Sequence, residues 1–344
     1  MTGVNSLLFF NIRMAGEARH LLLNLKCDEE KRVEFEESYF EGETREDFYI
    51  RPMVKRAWAA QLEVLHEIDV VCRRHNIKYF AEWGTLLGAV RHKGFIPWDD
   101  DLDIGMKRED YNLFLKYGLN ELPEGLEIRN FYTEETYGQI MTRIVTGNYI
   151  RLDEEYLTKY HGCPYVVGVD IFPMDYIPRN KQDEEIQLKL LVAANLLAQT
   201  WQSEHITEEE KMACLKELTK LTGVRIRKGI PVHQQLYQLS DSICALYHEE
   251  DADEITLLCM LSTRPHYRLP KQCYDYLIDM PFENTVIPVP EDYDRILKLR
   301  YGENYMVPVK HWGTHDYPFF KKQEQQLKMY YENEKKEMPQ CFAE

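Results

Sequence analysis

The alternation of apolar and polar positions divides the chain into stretches of different period. Up to residue 50, short apolar and charged runs follow one another: Leu7-Leu8-Phe9-Phe10, His20-Leu21-Leu22-Leu23 and Val33-Glu34-Phe35-Glu36, punctuated by Gly16 and Gly42. This predicts short strands in a β-rich N-terminal appendage over 1–50. From Pro52 the period changes. Val54, Trp58, Leu62, Leu65, Ile68 and Cys72 recur at three and four, the spacing of one helix face, and Pro52 suits a first turn, where the missing N–H is not needed. Tyr79-Phe80-Ala81 reads as a strand ending at Gly84. A short helix over 86–92, a strand through Leu102-Asp103-Ile104 and a helix over 109–117 follow. Further strands are predicted near 126–131, 140–145 and 166–171, so strands and helices interleave as in an α/β (α+β) core over 51–180. Between 181 and 255 the leucines fall at helical spacing, with breaks at Gly223 and Gly229-Ile230-Pro231, which predicts a helical subdomain or insertion. A hairpin over 276–290 and a helix over 291–301 belong to the returning part of the core, 256–320. The polar tail over 321–344 is predicted to be helical.

Composition narrows the class. The 344 residues are 44% hydrophobic and 29% charged, as in soluble globular proteins. With 42 basic against 58 acidic residues, the net charge of −16 opposes broad binding to a nucleic-acid backbone and to anionic lipid. No run approaches the roughly 18–20 apolar residues of a membrane span. The run Leu7 to Phe10 is too short for a signal peptide, so the expected location is the cytoplasm, at most peripheral to the inner face of the membrane. The eight cysteines show no C-x-x-C pair and are expected to be reduced, buried thiols.

The densest chemical signal is Trp98-Asp99-Asp100-Asp101-Leu102-Asp103-Ile104. Carboxylates this close repel one another unless a cation lies among them, and side chains two apart on a strand share a face. Asp99, Asp101 and Asp103 are therefore expected to converge as hard oxygen ligands suited to magnesium or manganese. An EF-hand loop is excluded, because its obligatory glycine position holds Ile104. Upstream, Trp83-Gly84-Thr85-Leu86-Leu87-Gly88-Ala89 is a strand-to-helix turn of small residues, where Gly84 and Thr85 are candidates to meet phosphate. Neither the P-loop nor the dinucleotide glycine pattern occurs. Arg91-His92-Lys93 stands between turn and acids and has the charge to neutralise a diphosphate. Asp170, flanked by Val169 and Ile171, is an acid inside an apolar strand pattern and needs a partner or a metal. Taken singly, each motif also fits a bland reading: a solvated acidic turn, a strand-end glycine, a surface turn, a satisfied core aspartate.

Together they resemble a family. The order h-G-T, D-h-D-h and a later h-D-h is similar to that of the nucleotidyltransferase fold superfamily, and the contiguous stretch from Trp83 to Met106 resembles the hallmark of the LicD family of phosphorylcholine transferases, which fukutin and fukutin-related protein also resemble. Val169 to Asp175, Asp292-Tyr293-Asp294 and Tyr301 to Met306 extend the match over roughly residues 55–315. The resemblance implies a nucleotidyltransferase-like mixed sheet flanked by helices. It also implies transfer of phosphorylcholine, or a related phospho-alcohol, from a CDP-linked donor such as CDP-choline to a hydroxyl of a cell-surface glycan, lipid-linked glycan or teichoic-acid precursor, releasing CMP.

On that resemblance Asp101 and Asp103 would hold Mg2+ or Mn2+ with help from Asp99, and Asp170 would complete the metal site or take the proton of the acceptor. Gly84, Thr85, Arg91, His92, Lys93 and Arg143 would meet the donor phosphates. A quaternary ammonium is held by aromatic faces, and Trp98, Tyr111, Tyr149, Trp312 and Tyr317 are the aromatics nearest the motifs. A CDP-ribitol or CDP-glycerol donor would need polar contacts instead. His311 and His315 are accessory candidates. Two alternatives stand beside this reading: transfer of a whole NMP to a small molecule, as elsewhere in the superfamily, and a non-catalytic scaffold that keeps the fold.

Overall fold

A computed structural model describes residues 33–310, 317–339 and 342. The chain divides after Glu34, and the unit of residues 35–344 carries all that follows. It opens with a hairpin of β1 (Glu43–Arg45) and β2 (Phe48–Ile50). The runs at Leu7 and His20 lie outside the described residues, and Val33 to Glu36 form no strand.

Helix α1 (Pro52–Arg74) begins at the predicted proline and buries all six positions of its predicted stripe. Lys55, Gln61 and Glu63 are buried as well, because α1 has structure on more than one side. Lys55 reaches Glu43 at 2.6 Å, and Glu63 meets His161 at 2.7 Å. A buried polar group needs such a partner.

Next come β3 (Phe80–Ala81), α2 (Trp83–His92), β4 (Asp103–Lys107), α3 (Arg108–Glu121), β5 (Glu127–Arg129), β6 (Thr142–Val145), α4 (Glu154–Lys159) and β7 (Gly168–Pro178). These follow the predicted order. The strand expected from Leu102 starts one residue later, at Asp103, so Asp99 to Leu102 belong to a loop.

The helical stretch consists of α5 (Lys181–Thr200), α6 (Glu208–Thr222) and α7 (Val232–Cys244). Its ends are chemically marked. Asn180 caps α5 through Gln182 N–H, Thr207 and Glu210 form a capping box on α6, and Gly223 stops α6 in the left-handed region at φ 72°. Leu191, Leu215, Leu236 and Ile243 pack together with Ile177 of β7, so this layer leans on the far half of that strand. Strand β8 (Ala252–Thr256), α8 (Leu258–Leu261), β9 (Leu269–Pro270), the hairpin of β10 (Leu277–Phe282) and β11 (Thr285–Pro290), α9 (Tyr293–Tyr301) and α10 (Lys321–Asn333) complete the unit.

The main sheet is mixed and has seven strands in the order β3-β4-β7-β6-β5, with β8 on β7 and β9 on β8. Only β4 and β7 are parallel neighbours; the other pairs are antiparallel. The eleven-residue β7 is its spine: residues near its start pair with β4 and β6, and those near its end with β8. Cys72, Cys163, Cys244 and Cys273 are buried free thiols as expected, whereas Cys214 is exposed; Cys27 and Cys341 lie outside the described residues. No described helix is long and apolar enough to cross a membrane.

Candidate active site

Sheet topology gathers the acids. In β4 and β7 Asp103 pairs with Asp170, and the antiparallel β6 sets Arg143 against Asp170 from the other side. Strand β3 runs opposite to β4 and ends where β4 begins, Glu82 N–H donating to the Asp103 carbonyl at 3.0 Å. Trp83, Gly84 and the N-terminus of α2 thus arrive at the same sheet edge as Asp103 and Asp170.

The acidic loop is fixed through its backbone. From α1, Trp58 Nε1–H donates to the Asp99 carbonyl at 3.1 Å and Gln61 Nε2–H to the Asp100 carbonyl at 2.8 Å. The Asp100 side chain is fully buried and accepts from Phe319 N–H at 2.5 Å. Oxygens of Asp99, Asp100 and Asp101 lie within 4.8 Å of one another, but this bond gives Asp100 a structural role. Gly84 leaves room for Asp99: a Cβ at position 84 would collide with the Asp99 carboxylate.

Asp103 shows how closely the acids converge. Burial raises its pKa well above the usual carboxylate range, and Asp101, Asp170 and Asp99 raise it further, with Arg143 opposing. Asp99, Asp100 and Asp101 bring carboxylate oxygens together, Asp103 and Asp170 are paired on the neighbouring strands, and such an all-carboxylate set, without sulfur or imidazole, has the chemistry of a hard divalent-cation site. The residues present therefore fit magnesium or manganese. The oxygens within 4.8 Å of one another are those of Asp99, Asp100 and Asp101, not the Asp99, Asp101 and Asp103 that strand alternation called for. The loop carries Asp99 and Asp101, and only Asp103 stands on the strand.

Other predicted residues are distributed differently. Thr85 is buried and its hydroxyl accepts from Asp103 N–H at 2.8 Å, so it positions the start of β4. Arg143 clamps Asp170 through Nε and Nη2, taking both carboxylate oxygens. Arg91, His92 and Lys93 stand at the C-terminal end of α2, opposite Gly84, along a helix roughly 15 Å long by its rise. Arg91 donates to the Tyr305 carbonyl at 2.9 Å, and His92 Nε2 is 3.3 Å from Glu46. With Arg45 and Glu283 they line a separate cavity of about 480 Å3. Burial and the neighbouring Arg91 push the His92 imidazole below its usual range.

The proposed aromatic set divides. Tyr111 is fully buried in α3 and its hydroxyl lies 2.6 Å from Thr142, so it presents no ring face to a ligand, which corrects the expectation for it. Tyr149 is 71% exposed. Trp98 and Tyr317 share Phe48, with ring centroids 6.2 and 5.7 Å from it. Tyr317 is also close enough to Asp100 and Asp99 that, after burial, they raise its hydroxyl pKa. His311, Trp312 and His315 lie outside the described residues.

Two tyrosines escaped the sequence reading. Burial raises the pKa of Tyr301, with Asp99 and Asp103 adding to the rise and Arg300 opposing it; Tyr137 is raised by burial and by Asp170. Tyr301 lay within the matched segments, but Tyr137, on an irregular loop, left no signal. Beside Trp83, Glu82 is fully buried and ion-paired with Arg300, whose guanidinium lies 4.2 Å from the Trp83 ring centroid.

Comparison with known proteins agrees with this geometry. The family model described as LicD/FKTN/FKRP, nucleotidyltransferase domain, matches residues 76–189, the stretch from the approach to β3 through β7 and into α5. The chain is 26% identical over 260 residues to the lipopolysaccharide cholinephosphotransferase LicD of Haemophilus influenzae, covering 72% of this chain and 89% of that protein. It is 33% identical over 105 residues to the ribitol 5-phosphate transferase FKRP of Homo sapiens, covering 30% of this chain and 18% of that one. The acids at the sheet edge, Asp99 to Asp103 and Asp170, all lie inside the stretch that matches the LicD/FKTN/FKRP nucleotidyltransferase domain.

Proposed function

We propose that the protein transfers a phospho-alcohol, phosphorylcholine in the first place, from a CDP-linked donor to a hydroxyl of a cell-surface glycan or teichoic-acid precursor. The observation that carries this is the meeting of Asp99, Asp101, Asp103 and Asp170 beside Gly84 at one sheet edge. Support comes from the relatives, one a cholinephosphotransferase and the other a ribitol 5-phosphate transferase.

The acceptor oxygen attacks the phosphorus that bears the alcohol. The bond from that phosphorus to the bridging oxygen breaks, CMP leaves with the electron pair, and the hydroxyl proton passes to a carboxylate of the cluster. Phosphoryl transfer of this kind asks for positioning and charge neutralisation more than for covalent work by the protein. Asp101 and Asp103, with Asp99, would hold a divalent cation, which when bound neutralises charge on the diphosphate. Asp170 is gripped by Arg143 on both oxygens, an arrangement suited to a fixed ligand of that cage rather than to a mobile base. Phe48, Trp98 and Tyr317 form an aromatic group on the Asp99 side, which favours choline over a polyol.

The test is incubation with CDP-choline, CDP-ribitol or CDP-glycerol, with magnesium or EDTA, following CMP by chromatography. Magnesium-dependent CMP from CDP-choline, lost in Asp101→Ala/Asp103→Ala, is the expected result. Release of phosphocholine with CMP transferred elsewhere would instead establish NMP transfer. Absence of both product formation and nucleotide binding would leave the scaffold reading.

A further inference from the structure

A nucleotide product that leaves as CMP needs a cation at its phosphate, and most cations near the acids are already engaged. Arg143 grips Asp170 and Arg300 is buried against Glu82, while Lys107, 2.6 Å from Asp275 at the far end of β4, and Arg91, tied to the Tyr305 carbonyl at the far end of α2, stand away from them. Arg264 differs. It is half-buried, and among the described residues no carboxylate lies within ion-pair reach of it. Arg56 and Arg91 also lack an acid, but their guanidiniums donate to the His161 and Tyr305 carbonyls; that of Arg264 has no such acceptor among the described residues.

Its place in the fold is well determined. Strand β8 runs antiparallel to β7 with Thr256 opposite Asp175, so the chain beyond Thr256 advances toward the Asp170 end of β7. There it turns, Thr263 and Arg264 N–H donating to the Met260 carbonyl and Tyr267 N–H to the Arg264 carbonyl, at 2.9 to 3.1 Å. The guanidinium of Arg264 lies 5.2 Å from the Tyr267 ring centroid and 5.8 Å from that of Trp83. The Trp83 and Tyr267 rings are themselves 5.7 Å apart. Trp83 directly precedes Gly84, which borders Asp99. It also holds a left-handed backbone at φ 47°, a costly conformation for a bulky residue and one that collects at functional sites.

We propose that Arg264, beside the Trp83 and Tyr267 rings, is the residue that binds the phosphate of the cytidine nucleotide, in the donor and in released CMP. The inference rests on the function proposed above and assigns a part of the same site. A planar guanidinium offers two parallel N–H donors to a phosphate, and an arginine whose neighbours are rings rather than acids keeps that fork free. Neither composition nor motif singled out Arg264, which lies far along the chain from the acidic loop.

The experiment measures binding of CMP and of cytidine by calorimetry, and KM and kcat for CDP-choline, in wild type, Arg264→Ala and Arg264→Lys. Arg264→Ala is expected to weaken CMP at least tenfold, to leave cytidine unchanged and to raise the donor KM. Arg264→Lys keeps the charge without the fork and should recover part of the loss. Equal weakening of CMP and cytidine would show that Arg264 only supports the rings, and unchanged CMP binding in both variants would remove it from the site; either result overturns the inference alone. Should Arg264→Ala fail to fold, the CMP-to-cytidine ratio in Arg264→Lys decides by the same criterion. A wild type that neither binds CMP nor turns over any CDP-alcohol overturns the proposed function and this inference with it.

Discussion

Asp103 and Asp170 stand in register on neighbouring parallel strands, each at the end of its strand that faces the acidic loop. Burial penalises the charged form of Asp103, and Asp101, Asp170 and Asp99 add repulsion to that penalty, with Arg143 opposing. Asp103→Asn is therefore expected to raise the melting temperature of metal-free protein, by an effect of about 1 kcal/mol, while CMP release falls about 100-fold. Magnesium should raise the melting temperature of wild type, through the linkage of binding to folding, and leave the variant unmoved. Differential scanning fluorimetry with and without magnesium checks both parts. A variant less stable than metal-free wild type would count against repulsion at this pair.

Gly84 and Gly88 occupy the same helix but meet different neighbours. A Cβ at Gly84 meets the end of the Asp99 side chain, whereas one at Gly88 meets the backbone carbonyl of Gly94. Gly84→Ala should fold normally and bind magnesium about tenfold more weakly, since Asp99 must swing away. Gly88→Ala should lose about 1–3 kcal/mol of stability, because backbone has to move. Urea unfolding and a metal titration on both variants separate the two effects.

Arg108 joins the sheet core to the helical layer, donating to Asp175 at 2.6 Å and to Asp241 of α7 at 2.8 Å. All three are buried. Burial raises the Asp175 pKa to about 6, with Arg108 opposing. A carboxyl that holds its proton more tightly in the folded chain adds stability that is complete below about pH 4, its unfolded value, and lost as pH rises through about 6. A rise of about two units corresponds to ~3 kcal/mol. Asp175→Asn should flatten that slope when urea stability is followed from pH 4 to 7. Arg108→Met, which strands two buried acids, should cost about 3–5 kcal/mol at pH 7.

The aromatic group at Phe48 bears on donor choice. Trp98→Ala and Tyr317→Ala are expected to raise KM for CDP-choline between about threefold and thirtyfold, the range of a cation over a ring. Tyr317→Phe should behave as wild type, because it keeps the ring. With CDP-ribitol the alanine variants should change little. Equal effects on both donors would place these rings in general support of the acidic loop.

Much of this arrangement was legible because local chemistry and fold agree. The α1 stripe, the Gly223 stop and the hairpin over 276–290 follow from period and turn residues. Asp99, Asp101 and Asp103 are close in the chain, so their nearness needed no knowledge of topology, whereas Asp170 joins them through the register of β4 and β7. What escaped depended on register and on distant segments. The Arg143–Asp170 clamp exists because β6 and β7 are antiparallel with those two residues paired. Tyr111 looked like an available ring until α3 turned it inward. The basic run Arg91-His92-Lys93 seemed close to the phosphate turn along the chain, yet the intervening residues are helical and carry it to the opposite end.

The bonds from Trp58 and Gln61 reach main-chain carbonyls of the acidic loop, so these two anchors hold whatever side chains stand at 99 and 101. Shape and chemistry are therefore separately inherited in this loop. Its path is a socket cut by α1, and the ligands are interchangeable inserts. Histidine, asparagine or glutamate at 99 or 101 would meet the same backbone frame, so lineages of this fold, or designers, can alter which ion and which reaction the edge of the sheet supports without rebuilding the domain beneath it.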